Sequence, residues 1–161
     1  MKIEIQKLTD TAKIPTRGSE YAAGYDLYVD TRSTPGLNDY RDDFRKNQGI
    51  IFIPSHTNAK LSTGISVAIP KGYFGAIFAR SGLASKQGLR PANCVGVIDA
   101  DYRGPVMVAL HNDSNITAQV NDGERIAQLV ILPCQDIEFE EVDTLDTTDR
   151  GSGGFGSTGK I

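Results

Sequence analysis

The groups best suited to chemistry in this chain lie in Asn93-Cys94-Val95-Gly96-Val97-Ile98-Asp99-Ala100-Asp101-Tyr102-Arg103-Gly104. An ionised carboxylate can orient and deprotonate a water, and Asp99 and Asp101 both stand beside a tyrosine, Tyr102. Ahead of them Val95, Val97 and Ile98 favour a strand, while Gly96 opens the backbone to close approach. Gly104-Pro105 and a second apolar run over 106–110 follow. The spacing predicts a β-hairpin whose mouth carries Asn93, Asp99 and Tyr102. Taken alone, these residues read more simply as an acidic turn. The rest of the chain changes that.

A second set of reactive groups closes the sequence. Arg150-Gly151-Ser152-Gly153-Gly154-Phe155-Gly156-Ser157-Thr158-Gly159 has five glycines in ten residues, the composition of a flexible tail. Each of its other residues has a use against a nucleotide. Arg150 can grip phosphate through two N–H groups, Ser157 and Thr158 add hydroxyl donors, the glycine amides can turn toward phosphate oxygens, and Phe155 can stack on a base. It is not a P-loop, because no Gly-Lys-Ser/Thr closes it and no strand-to-helix frame surrounds it.

The elements that must carry these groups are short strands. Apolar runs recur at 50–53, 65–69, 73–79, 95–98, 106–110, 116–120, 126–132 and 137–142, separated by turn signals such as Pro70-Lys71-Gly72 and Asn121-Asp122-Gly123. Ile3 and Ile5 alternate with charges in a further strand, and 22–29 forms another with Asp26 near its start. An Asp so placed is more often a turn cap than a functional group. Only 81–86 invites a helix. This spacing implies an all-β sandwich, jelly roll or barrel. Residues 33–49 break the pattern, with three acidic and three basic side chains between Pro35-Gly36 and Gln48-Gly49. They read as an exposed insertion in which Asn38 caps a short helix that stacks Tyr40 and Phe44.

Composition narrows the function. The 161 residues suffice for one domain with its own core, and a net charge of −3 offers no basic face for direct nucleic-acid binding. No apolar run could span a membrane, and Met1-Lys2-Ile3-Glu4 lacks a signal-peptide core. Cys94 and Cys134 are far apart, so reduced thiols in an intracellular, cytoplasmic setting are expected. His56 and His111 are isolated, so any metal would be held largely by a ligand.

Five segments, in order, resemble the trimeric dUTP diphosphatase (dUTPase) family. They are Ala23-Gly24-Tyr25-Asp26-Leu27, Arg80-Ser81-Gly82-Leu83-Ala84, Gly96 through Gly104, Gly123-Glu124-Arg125-Ile126-Ala127-Gln128-Leu129, and the glycine arm from Arg150. The resemblance spans nearly the whole chain except 33–49. It implies a distorted β-barrel of jelly-roll type over 1–142, a C-terminal arm over 143–161, and a homotrimer with shared active sites. It also implies hydrolysis of dUTP to dUMP and pyrophosphate, with Mg²⁺ held mainly by the triphosphate. The reaction keeps uracil out of DNA and supplies dUMP for thymidylate synthesis.

Carried onto this sequence, the resemblance makes Asp99 the carboxylate that activates water for attack on the α-phosphorus. Uracil would be read by the hairpin over Gly96, Val97 and Ile98 together with Asn93. Cytosine reverses part of that hydrogen-bond pattern and is rejected. Tyr102 would pack under deoxyribose and leave no space for a 2′-hydroxyl. Arg80, Ser81 and Gly82 would face the phosphates, and Gln128 the α-phosphate. Arg150, Ser157 and Thr158 would bind the β- and γ-phosphates while Phe155 and Gly156 close over uracil. Asp26 would meet the metal through water, and Arg125 would be structural or at a subunit interface. The related dCTP deaminases share the fold but normally lack the Arg-Gly-Ser-Gly-Gly-Phe-Gly arm. A further reading is a scaffold that engages a protein partner through residues 33–49, which need not exclude catalysis.

Overall fold

The computed structural model describes residues 1–35, 49–155 and 157. Its strands are β1 (Glu4–Lys7), β2 (Thr16–Arg17), β3 (Tyr25–Tyr28), β4 (Ile50–Ile53), β5 (Asn58–Ser62), β6 (Ile65–Ala68), β7 (Tyr73–Phe78), β8 (Leu89–Pro91), β9 (Gly96–Ile98), β10 (Met107–Asn112), β11 (Ala118–Asn121) and β12 (Arg125–Pro133). An α-helix, α1 (Ser81–Gln87), follows β7, and a short 3-10 turn spans Thr31–Ser33. The expectation of a mainly β chain holds, and so does the helix after Arg80.

β10 shows how sequence dictates this arrangement. Val108, Leu110 and Asn112 point inward and are buried, while the residues between them are only half-buried, the period of two that a pleated strand imposes. Leu110 meets Leu27, Ile53, Leu61, Ile65, Leu89 and Ile126 in one core of fully buried side chains. Each such side chain contributes roughly 1.5–3 kcal/mol relative to exposure. Asn112 is tolerated there because its amide is saturated. Its Nδ2 donates to the Ile53 and Ile116 carbonyls at 2.9 and 2.8 Å, and its Oδ1 accepts from the Ser114 amide and hydroxyl at 3.0 and 2.7 Å.

Among the described residues the strands do not close into a barrel. They fall into four antiparallel sheets, in the orders β1-β6, β5-β10-β8, β11-β4 and β2-β3-β12-β7-β9. Proline limits the ladders. Pro54 and Pro70 stand just past β4 and β6, Pro91 and Pro133 end β8 and β12, and Pro105 precedes β10. None of these residues can donate a ladder hydrogen bond.

The expected hairpin is also corrected. β9 pairs with β7, Ile98 opposite Gly75 and Gly96 opposite Ile77, whereas β10 pairs with β5 and β8. Residues 92–106 are therefore one long excursion between β8 and β10. After Pro105, the Val106 amide donates to Ile65 at 2.8 Å and its carbonyl accepts from Thr63 at 3.1 Å, which draws the chain into the neighbouring sheets. The run at 137–142 forms no strand either. Ile137 and Phe139 alternate as a strand would, yet they stand 65% and 89% exposed, and among the described residues no strand pairs with them. A strand with no neighbour has nowhere to send its backbone hydrogen bonds.

Of the segment 33–49, residues 36–48, with the Asn38 cap and the Tyr40–Phe44 stack, lie outside the described residues. Its ends belong to the fold. Buried Thr34 donates to the Asp30 carbonyl at 2.9 Å and accepts from the Ser62 amide at 3.1 Å. Asp122 ties both flanks together, because its Oδ1 accepts from the Thr31 amide at 2.9 Å and its amide donates to the Gly49 carbonyl at 2.9 Å. A short turn can therefore bridge them. Replacing 36–48 with a brief Gly-containing turn should leave the urea midpoint nearly unchanged. Thr34→Ala, which strands a buried amide, should cost about 1–3 kcal/mol in the same measurement. A collapse of the shortened variant would show that 36–48 is part of the core.

Candidate active site

The site assembles from one end of the five-stranded sheet. Asp26 on β3 lies opposite Gln128 on β12, and Gln128 in turn lies opposite Phe78 at the end of β7. The chain then continues through Ala79 and Arg80 into α1. The Gln128 Nε2 donates to the Ala79 carbonyl at 2.9 Å and so fixes the exit of β7. Gly24 leaves the space this amide occupies; a Cβ there would lie 3.0 Å from Gln128 Cδ.

Asp26 is 9% exposed and held on both sides. Arg80 Nε donates to Oδ1 at 2.9 Å, and Arg125 Nη1 donates to Oδ2 at 3.1 Å. Arg80 Nη1 also reaches the Arg125 carbonyl at 3.3 Å. This role of Arg125 in the cluster was not legible from spacing. In a regular strand Arg125 and Gln128 would point to opposite faces, but the register slips between Arg125 and Ala127. The bulge re-aims Arg125 onto the face of Asp26 and Gln128. Two guanidinium groups on one carboxylate leave a net positive charge, a field that suits an anion. Ser81 and Gly82 are exposed beside it in the first turn of α1, which no side chain caps.

The second group lies along β9 and the loop after it. Gly96 is buried against Ile77, with the Asn93 amide alongside, while Val97 is exposed and Ile98 is buried. Cys94 turns the chain here with φ of 62°. At the far end Asp99 is exposed, on a turn closed by the Tyr102 amide donating to the Asp99 carbonyl at 3.2 Å. Arg103 Nη1 braces that turn through the Ala100 and Tyr102 carbonyls at 2.7 and 2.8 Å. Behind the loop, Arg90 grips Asp113 with two N–H groups at 2.6 and 3.1 Å, and that hydrogen-bonded carboxylate raises the Arg90 pKa further. The pair fastens β8 to the loop after β10.

The two groups share the five-stranded sheet. Among the described residues, no hydrogen bond or ion pair links Asn93, Asp99 or Tyr102 to the Asp26 cluster. The described part of the glycine arm bonds within itself. Arg150 Nε donates to the Gly153 carbonyl at 2.8 Å, the Ser157 amide donates to Gly154 at 3.0 Å, and Phe155 is fully exposed. Gly156 and Thr158 lie outside the described residues. Also among the described residues, no three His, Cys, Asp or Glu side chains cluster as a metal site would require, and no helix is long and apolar enough to cross a membrane.

The chain is similar to known proteins. A sequence profile of the dUTPase family matches residues 43–159. The deoxyuridine 5′-triphosphate nucleotidohydrolase of Candida albicans is 43% identical over 150 residues, covering 92% of this chain and 82% of that protein. The human mitochondrial deoxyuridine 5′-triphosphate nucleotidohydrolase is 44% identical over 163 residues, with 99% of this chain and 56% of that protein covered. Among solved structures, a mutant of the Staphylococcus bacteriophage 80alpha dUTPase with dUpNHpp superposes with a TM-score of 0.80 at 26% identity, covering 98% of each chain.

Proposed function

Because the chain belongs to the dUTPase family, we propose that it is a dUTP diphosphatase that hydrolyses dUTP to dUMP and pyrophosphate. The observation that carries this reading is the Asp26–Arg80–Arg125 cluster beside Gln128 and the Ser81-Gly82 turn. It is an anion-favouring end of a rigid sheet, next to unpaired helix-start amides.

In this mechanism Asp99 takes a proton from a water as the water oxygen bonds to the α-phosphorus. The bond from that phosphorus to the bridging oxygen breaks, and pyrophosphate leaves with the electron pair. Gln128 orients the α-phosphate with the amide hydrogen that Ala79 does not use. Ser81 and Gly82 donate to the oxygens that gather leaving-group charge. Asn93 and the backbone of Gly96, Val97 and Ile98 pair with uracil, and Tyr102 supports the deoxyribose. Arg150, Ser157 and Thr158 hold the outer phosphates while Phe155 and Gly156 cover the base and exclude water.

Between two guanidinium groups Asp26 suits no bare cation, and it would meet a Mg²⁺ carried by the triphosphate only through water. Each Asp26 oxygen takes one guanidinium N–H and keeps a lone pair, enough for a water of the ion's shell. Mg²⁺ gives up its waters reluctantly and prefers phosphate oxygens. When bound to the triphosphate it supplies neutralisation of phosphate charge.

The protein acts as a homotrimer, which brings one chain's Asp99 loop to another chain's Asp26 cluster. A cytoplasmic setting agrees with Cys94 and Cys134, both exposed and unpaired. Purified protein with Mg²⁺ should release pyrophosphate from dUTP, and turn over UTP, dCTP and TTP far less efficiently. No pyrophosphate from dUTP would end the reading as an enzyme. Equal kcat/KM for UTP and dUTP would remove Tyr102 from sugar selection alone.

A further inference from the structure

The Tyr102 ring is seated by its own loop. Its hydroxyl donates to the Pro105 carbonyl at 3.0 Å. Gly104 lies directly against the hydroxyl end of the ring. A Cβ placed on Gly104 would stand 2.6 Å from Cζ and 2.9 Å from Cε2 of Tyr102, and closer still to its oxygen. Real carbon atoms do not approach so closely, so any side chain at 104 must push the ring aside. Gly104 is itself pinned, since the Ser66 hydroxyl on β6 donates to its carbonyl at 3.0 Å. Ser66 is 6% exposed.

From this packing we infer that Gly104, held by Ser66, is a positioning residue for sugar selection. It lets the Tyr102 ring settle deep enough to meet the 2-position of the bound sugar. The inference rests on Tyr102 being the sugar-packing residue proposed above. The cost of a side chain at 104 falls on the ring and not on the fold. Gly104 is not in a positive-φ conformation, so its backbone admits alanine. The nearest atoms are the free end of one half-exposed side chain, able to rotate outward. A displaced ring would lose contact with deoxyribose and open room for a 2′-hydroxyl. Volume changes of this size at a substrate pocket alter discrimination by about tenfold or more.

The test compares kcat/KM for dUTP with kcat/KM for UTP in purified trimers of Gly104→Ala, Ser66→Ala and Tyr102→Ala, with melting temperature measured alongside. Gly104→Ala is expected to lower the dUTP:UTP ratio by about tenfold with melting nearly unchanged. Ser66→Ala, which frees the Gly104 carbonyl without adding volume, should lower the ratio by about threefold, near the low end of a hydrogen bond's net effect. Tyr102→Ala should lower it most. If Tyr102→Ala leaves the ratio intact, Tyr102 does not select the sugar and the role of Gly104 falls with it. If Tyr102→Ala relaxes the ratio and Gly104→Ala does not, Gly104 alone is misassigned. Should Gly104→Ala fail to fold, the ratio of Ser66→Ala decides, and an unchanged value there overturns the inference.

Discussion

Asp99→Asn is expected to lower kcat on dUTP by about 10²–10⁴ while the protein folds normally and still binds nucleotide. The size follows from what the substitution removes. An amide keeps the shape of the carboxylate but cannot accept the proton that water must lose as its oxygen bonds to phosphorus. The fold should hardly notice. Asp99 is exposed, and its turn is closed by the Tyr102 amide and braced by Arg103, not by the Asp99 side chain. Exposed substitutions away from packing and caps usually change stability by no more than about 0.5 kcal/mol. The informative measurement is single-turnover hydrolysis beside equilibrium binding of a non-hydrolysable dUTP analogue. A large loss in rate with unchanged affinity assigns Asp99 to the chemical step. Near wild-type turnover would show that another group takes the proton.

What the sequence made legible is what local physics controls. The inward alternation of β10 and the helix after Arg80 follow from side-chain period and from an apolar Leu83 among small and polar residues. Asn58-Ala59-Lys60-Leu61-Ser62 was invisible as a strand because two polar residues and a lysine dilute its pattern; pairing with β10 makes it one. The hairpin expected from 95–98 and 106–110 failed for a nonlocal reason. Both runs are strands, but each finds better partners elsewhere, β9 on β7 and β10 on β5 and β8. Arg125 was hidden by the same kind of fact. Counting residues along β12 puts it on the wrong face, and only the bulge shows that it clamps Asp26. The residues flagged for chemistry fall into an Asp26 cluster, an Asp99 loop and a terminal arm, and among the described residues no hydrogen bond or ion pair joins the first two. In the proposed function a second chain completes the site.

That shared site leads to the other large effect expected, recovery of activity from two dead proteins. Every residue from Pro133 to Ser152 is exposed, including Phe139 at 89% and Leu145 at 85%. Exposed apolar side chains along one stretch suit a partner surface, which the proposed homotrimer would supply. Residues 143–149, extended at about 3.3 Å each, reach roughly 20 Å, enough to cross a subunit boundary. The arm from Arg150 would then close over a neighbour's Asp99 loop. Asp99→Asn and a truncation ending before Arg150 should each abolish most turnover, one by losing the base and the other by losing the phosphate grip and the cover over uracil. Given the proposed homotrimer, co-expression with different affinity tags and purification through both should yield mixed trimers. In these a truncated chain contributes an intact Asp99 while an Asp99→Asn chain contributes an intact arm. Where the two meet, the site is wild type, and dUTP hydrolysis should return to a sizeable fraction of the normal rate. If each arm instead closes over its own chain's loop, no arrangement of these chains yields a complete site, and doubly tagged trimers as inactive as their parents would establish that.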